Sequence, residues 1–207
     1  IFYKLAGLLL PIIYMIMASN NLIAGQVDSG SMAYVLSTST KRKTVVFTQA
    51  IYLIGSLLGM FVLTTATGCV CLAIVSAGTA EVELTYAKLL LLNLGAFLVL
   101  LALSGLCFFT SCLFDRSKRS MAIGGGLSIF ALVAAMLGLF GSPVIPSVVR
   151  LSALNYFNYA TVISLFDVVS IMEGTTIYLW KFAILAVAGI AGYIVGEKVF
   201  VKKDLPL

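Results

Sequence analysis

The sequence contains no histidine, and only 10% of its 207 residues are charged. Without histidine the chain cannot form His-ligated zinc sites or the Ser-His pairs of many membrane hydrolases. A soluble domain normally carries about a quarter charged residues. Because 61% of the residues are hydrophobic, the composition indicates an integral membrane protein. The missing histidine excludes membrane hydrolases that use His-ligated zinc or a Ser-His pair.

The four cysteines all fall within apolar runs, at spacings that suggest neither a disulfide framework nor a zinc site. The sequence has no G-x-x-x-x-G-K-[ST] motif, so it provides no P-loop for ATP. We therefore expect no enzyme activity, no catalytic residue, no metal and no directly bound cofactor. The basic residues lie at the ends of apolar runs, where membrane orientation explains them, so we also expect no nucleic-acid partner.

Five apolar runs of about 20 to 30 residues indicate transmembrane helices, since tilted barrel strands need only about 10 alternating residues. The runs cover residues 2–23, 45–77, 89–114, 121–140 and 177–195. We predict an all-α fold, a polytopic membrane helix bundle that forms a single transmembrane domain over residues 1–207. The second run is longer than a bilayer requires, which predicts that it tilts or protrudes into water.

The basic residues divide unequally between the two ends of the predicted spans. Nine of the 13 fall on one side, namely Lys41, Arg42, Lys43, Arg116, Lys118, Arg119, Lys198, Lys202 and Lys203. The positive-inside rule predicts that this side and the C-terminus are cytoplasmic. All of these cations except Lys198 are predicted to anchor helix ends at the lipid surface. Five spans in this orientation begin outside the cell, so we expect a further span before Ile1.

Residues 143–175 are apolar, yet polar side chains recur within them at every third position. These side chains are Ser152, Asn155, Asn158, Thr161, Ser164, Asp167 and Ser170. A helix with 3.6 residues per turn cannot keep such a series on one face. We predict a re-entrant or surface-lying helical hairpin on the outer side, with a break near Tyr159.

Two kinds of motif within the spans leave alternatives open. Gly55-x-x-x-Gly59 and Gly192-x-x-x-Gly196 favour close helix contact, either within the chain or between subunits. Some polar residues of the spans are candidates to line a pathway: Thr64, Thr65, Thr67 and Asn93. The alternative is that the threonines bond to carbonyls of their own helix. The spans have no charge near their middle, so a driving force for transport must come from elsewhere.

Residues 25–43, GQVDSGSMAYVLSTSTKRK, form a polar segment between the first two spans. Asp28 or Ser29 can cap a short helix there. The apolar side of this helix surrounds Tyr34 and consists of Met32, Ala33, Val35 and Leu36. Such a helix is suited to docking in a groove of a soluble partner, and a solvated loop is the alternative.

Segment 24–38, AGQVDSGSMAYVLST, followed by Arg42, resembles the loop after the second span in permeases of the type-2 ATP-binding-cassette (ABC) exporters. That family shows Gly-Glu, then Gly-Thr or Gly-Ser, a short hydrophobic stretch, Leu-Ser and an Arg. The closing segment 200–207, FVKKDLPL, resembles the family's ending. This chain departs from the pattern at Gln26, where Glu is frequent, and at Ser39, where Pro is common.

The resemblance implies a six-span permease of the bacterial cytoplasmic membrane that pairs with a second permease chain and two ATPase subunits. ATP and magnesium bind to those ATPase subunits. The implied cargo is hydrophobic or amphipathic, with a peptide or antimicrobial peptide preferred. Segment 25–43 would be the coupling helix, with contacts from Gln26, Asp28, Ser29, Gly30, Ser31, Met32, Tyr34 and Leu36. A membrane anchor or assembly subunit that transports nothing is the alternative.

Overall fold

The computed structural model describes residues 6–37, 40–78, 85–141, 154, 156–157, 161–173 and 176–203. All regular structure in these residues is helical. Five of the helices are long and apolar enough to cross a membrane. The predicted all-α fold is therefore confirmed, and five of its helices have the length and composition that the predicted spans require.

The first span leads directly into a short helical elbow. Helix α1 (Ala6–Leu22) contains Pro11 and is followed by α2 (Ala24–Asp28) and α3 (Ser31–Ser37). The chain turns between α2 and α3 at Gly30, whose φ of 75° is a conformation that glycine adopts without steric penalty. We refer to residues 24–37 as the elbow. The short helix expected within segment 25–43 is present as α3.

The next two spans differ sharply in their environment. Helix α4 (Arg42–Ala77) has 36 residues, which make it about 54 Å long against a hydrocarbon core of about 30 Å. Only 6% of its most apolar window is buried inside the protein, compared with 61% for α5 (Tyr86–Leu113). Helix α5 is therefore the centre of the bundle, and α4 packs on its outside.

The fourth and fifth spans complete the bundle around α5. The fourth is built from α6 (Ser117–Ser120), a π-helical turn (Met121–Gly125) and α7 (Gly126–Gly141). The fifth is α9 (Tyr178–Lys202). Helix α5 has its most extensive contacts with α9, followed by α1 and α4.

The close contact between α5 and α9 depends on glycine. A Cβ atom on Gly192 would lie 2.7 Å from the backbone of Gly105, so neither helix has room for a side chain there. Beside this contact the Tyr193 hydroxyl donates a hydrogen bond to Ser104 Oγ at 2.8 Å. The motif at 192–196 therefore makes a contact within the chain, one of the two alternatives left open by the sequence.

The other glycine motif has a different environment. A Cβ atom added to Gly55 or Gly59 would meet nothing within 4 Å. Both glycines lie on α4, the span with the least buried surface. Within the described residues this motif makes no close helix contact, so contact with another subunit is the alternative that stays open.

Part of the predicted outer hairpin is described, as a 3₁₀ turn (Val162–Leu165) and α8 (Val168–Glu173). Between them Phe166 is fully buried against α5, where a Cβ atom on Gly95 would lie 2.5 Å from its ring. The Asp167 carboxylate accepts a hydrogen bond from Lys181 Nζ of α9 at 2.6 Å. The predicted break near Tyr159 lies outside the described residues, so the hairpin stays a prediction.

Candidate functional site

The predicted clusters of basic residues meet at one end of the bundle. The Arg42 guanidinium donates to the Lys203 carbonyl at 3.1 Å, which joins the start of α4 to the end of α9. The Lys203 ammonium donates to the Leu113 carbonyl at 2.7 Å and pairs with Asp115 at 2.7 Å, which joins α9 to the end of α5. We refer to this end as the basic end.

Lys203 has a role inside the protein in place of the predicted lipid anchor. Its side chain is only 17% exposed, and its ammonium lies at the last carbonyls of α5. Cations are favourable there because the helix dipole concentrates negative charge at a C-terminus. Arg42 is likewise half-buried, whereas the other predicted anchors are exposed: Lys41, Lys43, Arg116, Lys118, Arg119 and Lys202.

The elbow lies at the basic end, and one face of α3 is packed into the bundle. Met32 is 1% exposed and belongs to the hydrophobic core, and Leu36, one turn later, packs against that core. These two residues were predicted to contact a partner. The burial of Met32 corrects that assignment for this residue, because a side chain inside the bundle is not available to another protein. Leu36 is half-buried, so its contact with a partner stays a prediction.

Polar contacts attach the elbow to two further helices. Gln49 of α4 donates from Nε2 to the Gln26 Oε1 atom at 3.0 Å. Asp28 accepts a hydrogen bond from the backbone N–H of Ser117 at 3.2 Å, and Asn20 of α1 donates to the Ser117 hydroxyl at 2.7 Å. The sequence offered Asp28 or Ser29 as the cap of a short helix, and the structure directs the Asp28 carboxylate to the start of α6.

The opposite face of the elbow is open. Tyr34 is 80% exposed at the middle of α3, and the turn before it is exposed at Asp28, Ser29, Gly30 and Ser31. The Ser29 and Ser31 hydroxyls both donate to the Gln26 carbonyl, at 3.3 and 3.2 Å, and so fix the turn. The predicted contact residues therefore divide into an outward set around Tyr34 and an inward set around Met32.

A second candidate site is a cavity of about 420 Å³ between α1, α4 and α5. Its lining consists of Gly7, Phe61, Thr64, Thr67, Gly68, Cys71, Asn93, Ala96 and Phe97. Three of the four predicted pathway residues, Thr64, Thr67 and Asn93, come together here. Thr65 is not among the residues that line it.

The polar groups of the cavity differ in the hydrogen bonds that they can make to a ligand. The Thr64 hydroxyl donates to the Met60 carbonyl at 2.9 Å, and Thr67 donates to the Leu63 carbonyl. These threonines bond to their own helix, as the alternative reading expected, and leave only oxygen lone pairs for a ligand. Asn93 is 5% exposed, and its Nδ2 atom has no hydrogen-bond partner among the described residues.

The sequence missed the apolar and small residues of this lining. Phe61 of α4 and Phe97 of α5 contact each other with ring centroids 5.4 Å apart. Gly68 and Cys71 continue the α4 face, and Ala96 continues the α5 face. Positions 64, 68 and 71 recur at helical spacing, so a search for a face of small and polar residues would have found Gly68 and Cys71 but not Phe61.

Among the residues that the structure describes, no charged side chain lines the cavity. Its volume lies within the roughly 300–1,000 Å³ typical of small-molecule sites, and its walls are mostly apolar with a few polar groups. The arrangement can therefore hold an uncharged, largely apolar molecule that accepts a hydrogen bond.

Comparison of the chain with protein-family models, curated proteins and solved structures finds no match. The function of this chain is therefore inferred from the residues described above and from the resemblance of segment 24–38.

Proposed function

We propose that this chain is the transmembrane permease subunit of an ATP-driven exporter of the type-2 ABC family. The observation that carries the proposal is the elbow, where an exposed Tyr34 stands on a helix whose other face is fixed by buried Met32. The sequence of this elbow is the part of the chain that resembles the family's coupling loop. In this proposal the basic end is cytoplasmic, as the positive-inside rule requires.

The contacts of the elbow support a mechanism for coupling. Two ATPase subunits that close on ATP and magnesium would displace the exposed face around Tyr34. The elbow is joined to α6 by Asp28 and to α4 by Gln26, so the displacement reaches two spans besides α1. Packed helices shift as rigid bodies rather than deform, and such shifts open a path across the membrane.

A second permease chain completes the proposed transporter. Helix α4 offers a largely exposed face on which Gly55 and Gly59 leave open space. Small residues at such spacing let membrane helices approach closely.

The cargo in this proposal is hydrophobic or amphipathic, and a peptide is the preferred class. The cavity walls formed by the described residues carry no charge, and the small polar side chains of Thr64 and Asn93 lie among them, which supports a cargo of this kind. An uncharged cavity disfavours a cargo that must carry ionic groups through the membrane.

The proposal is tested by purifying the tagged full-length protein from its native membranes and identifying the proteins that accompany it. We expect an ATPase that contains a P-loop. The complex in liposomes is then expected to hydrolyse ATP with vanadate sensitivity. Tyr34→Asp should abolish the stimulation of ATP hydrolysis by the permease, because it places a charge at the centre of the docking face.

Tyr34→Phe is the matched control, since it keeps the ring and removes only the hydroxyl. It should retain most of the stimulation. A stable complex without ATP turnover would instead identify a membrane anchor or assembly subunit. Normal stimulation of ATP hydrolysis by the Tyr34→Asp variant would show that the elbow does not couple the permease to the ATPase.

A further inference from the structure

The depth of the cavity in the membrane follows from its position along α5. This helix has 28 residues and is about 42 Å long, which matches a bilayer of about 40–45 Å including its interfaces. Asn93 is seven residues beyond Tyr86, the first residue of α5, and so lies about 10 Å from the end opposite the basic end. That depth is close to the boundary between the polar interface and the hydrocarbon core.

The cavity is accessible from the side of the bundle. Thr64, Thr67 and Cys71 are exposed and belong to α4, of which only 6% of the apolar window is buried. By length and composition α4 is suited to cross a membrane, so we expect this face to meet bilayer and not water at this depth. A molecule that enters the cavity therefore comes from the membrane.

The Asn93 carboxamide requires that such a molecule provide a hydrogen-bond acceptor. A buried amide donor without a partner costs about 1–3 kcal/mol relative to a paired one. A half-turn of the carboxamide exchanges its nitrogen and oxygen, so the donor can be directed to either side. A carbonyl oxygen satisfies it, whereas a phosphate requires cationic partners, and the described residues of the lining provide none.

We propose that this cavity binds a phospholipid of the half-bilayer opposite the basic end, with a lipid ester carbonyl accepting a hydrogen bond from Asn93. The acyl chain lies against Phe61 and Phe97, and the headgroup stays outside among the interfacial groups. The lipid is chosen over other occupants because its ester carbonyls lie at the depth of Asn93. This inference does not depend on the proposed transport function.

The test compares lipids that differ only in the carbonyl. The full chain is reconstituted in nanodiscs that contain equal amounts of two phosphatidylethanolamines. One carries two ester-linked oleoyl chains, and the other carries two ether-linked oleyl chains. Lipids that remain bound after release from the disc are counted by native mass spectrometry. We expect the wild-type protein to retain the ester lipid about three to ten times more than the ether lipid, the ratio that one hydrogen bond provides.

Three variants assign the effect to the cavity. Asn93→Leu should retain both lipids equally, because it removes the donor and keeps the volume. Ala96→Phe should reduce the retention of both lipids, because it fills the cavity. Thr48→Val is the control and should keep the wild-type ratio. Thr48 is exposed on α4 outside the cavity, and its hydroxyl donates to the Thr44 carbonyl of the same helix.

Equal retention of the two lipids by the wild-type protein would overturn the proposal, and this comparison needs no variant to fold. A wild-type ratio in Asn93→Leu would also overturn it. Displacement of both lipids by an added apolar peptide, with loss of the ester preference, would assign the cavity to cargo instead of lipid. No ATPase is present in the measurement, so failure here leaves the exporter proposal untouched, and the reverse also holds.

Discussion

The carboxylate of Asp28 accepts a hydrogen bond from the backbone N–H of Ser117 at 3.2 Å, across 89 positions of sequence. Ser117 is the first residue of α6, where backbone N–H groups have no partner within the helix. Asn20 binds the hydroxyl of the same serine at 2.7 Å. The start of the fourth span is therefore held at Ser117 by one hydrogen bond to the elbow and one to α1.

This contact predicts the behaviour of two variants at position 28. Asp28→Ala should lower the free energy of unfolding by about 1 kcal/mol, the usual loss when a helix cap is removed. It should also speed hydrogen exchange at the Ser117 amide, which is the local readout. Asp28→Asn keeps an acceptor oxygen and should protect that amide. Equal exchange in all three proteins would show that the contact does not protect Ser117.

Met32 is buried and Tyr34 is exposed on the same helix, so we expect substitutions at Met32 to change stability and those at Tyr34 to leave it nearly unchanged. Met32→Ala removes a side chain that is 1% exposed and should destabilise the protein by about 2–4 kcal/mol. Tyr34→Ala changes a residue that is 80% exposed and should alter stability by less than about 0.5 kcal/mol. Thermal unfolding in detergent measures both, and a larger loss for Tyr34→Ala would contradict the orientation of α3.

The two glycine motifs provide a matched pair of substitutions. Gly192→Ala places a Cβ atom 2.7 Å from the backbone of Gly105, so the α5 and α9 helices must separate. We expect a loss of about 1–3 kcal/mol from this overpacking, measured by thermal unfolding. Gly55→Ala meets open space and should be neutral or slightly stabilising in the isolated chain. Similar losses in both variants would contradict the packing of α9.

The ion pair between Asp167 and Lys181 predicts a dependence on pH. Burial tends to raise the pKa of Asp167, but hydrogen bonds from Lys181 and Ser170 and the charge of Lys181 outweigh it, so the pKa falls from 3.8 to about 2. A lowered pKa means that the stabilisation is complete above about pH 4 and is lost as the pH falls towards 2. This group therefore gives no pH dependence between pH 5 and 8.

Asp167→Asn isolates that contribution. It should lower the free energy of unfolding by about 1–3 kcal/mol at neutral pH, because Lys181 loses its charged partner. The difference in unfolding midpoint between wild type and variant should stay constant down to about pH 4 and shrink below it. A difference that grows in acid would have the wrong sign for a lowered pKa.

The sequence predicted the fold class more completely than the candidate sites. It grouped Thr64, Thr65, Thr67 and Asn93 as polar residues of the spans, and the structure brings all of them except Thr65 to one cavity. It did not identify Phe61 or Ala96, because an apolar residue in a membrane helix has no distinguishing pattern of its own. Their role depends on which neighbouring helix they face, and that information lies in the packing.

The elbow shows the same division within a few residues. Its apolar positions predicted a short helix with one apolar face, and α3 has that face. The sequence assigned the face to a partner protein, whereas the structure buries Met32 in the protein's own core. An apolar face predicts that another surface covers it, but only the tertiary structure identifies that surface.

The sequence by itself determined the five spans and the gathering of basic residues at one end, because hydrophobicity and charge act on each segment separately in a membrane. Tertiary structure decided that Asp28 meets Ser117, that Gly192 packs while Gly55 stays open, and that Asn93 lies in a cavity. These outcomes depend on how whole helices pack against one another. Contacts between residues far apart in the chain therefore depend on helix packing, which the local sequence pattern does not predict.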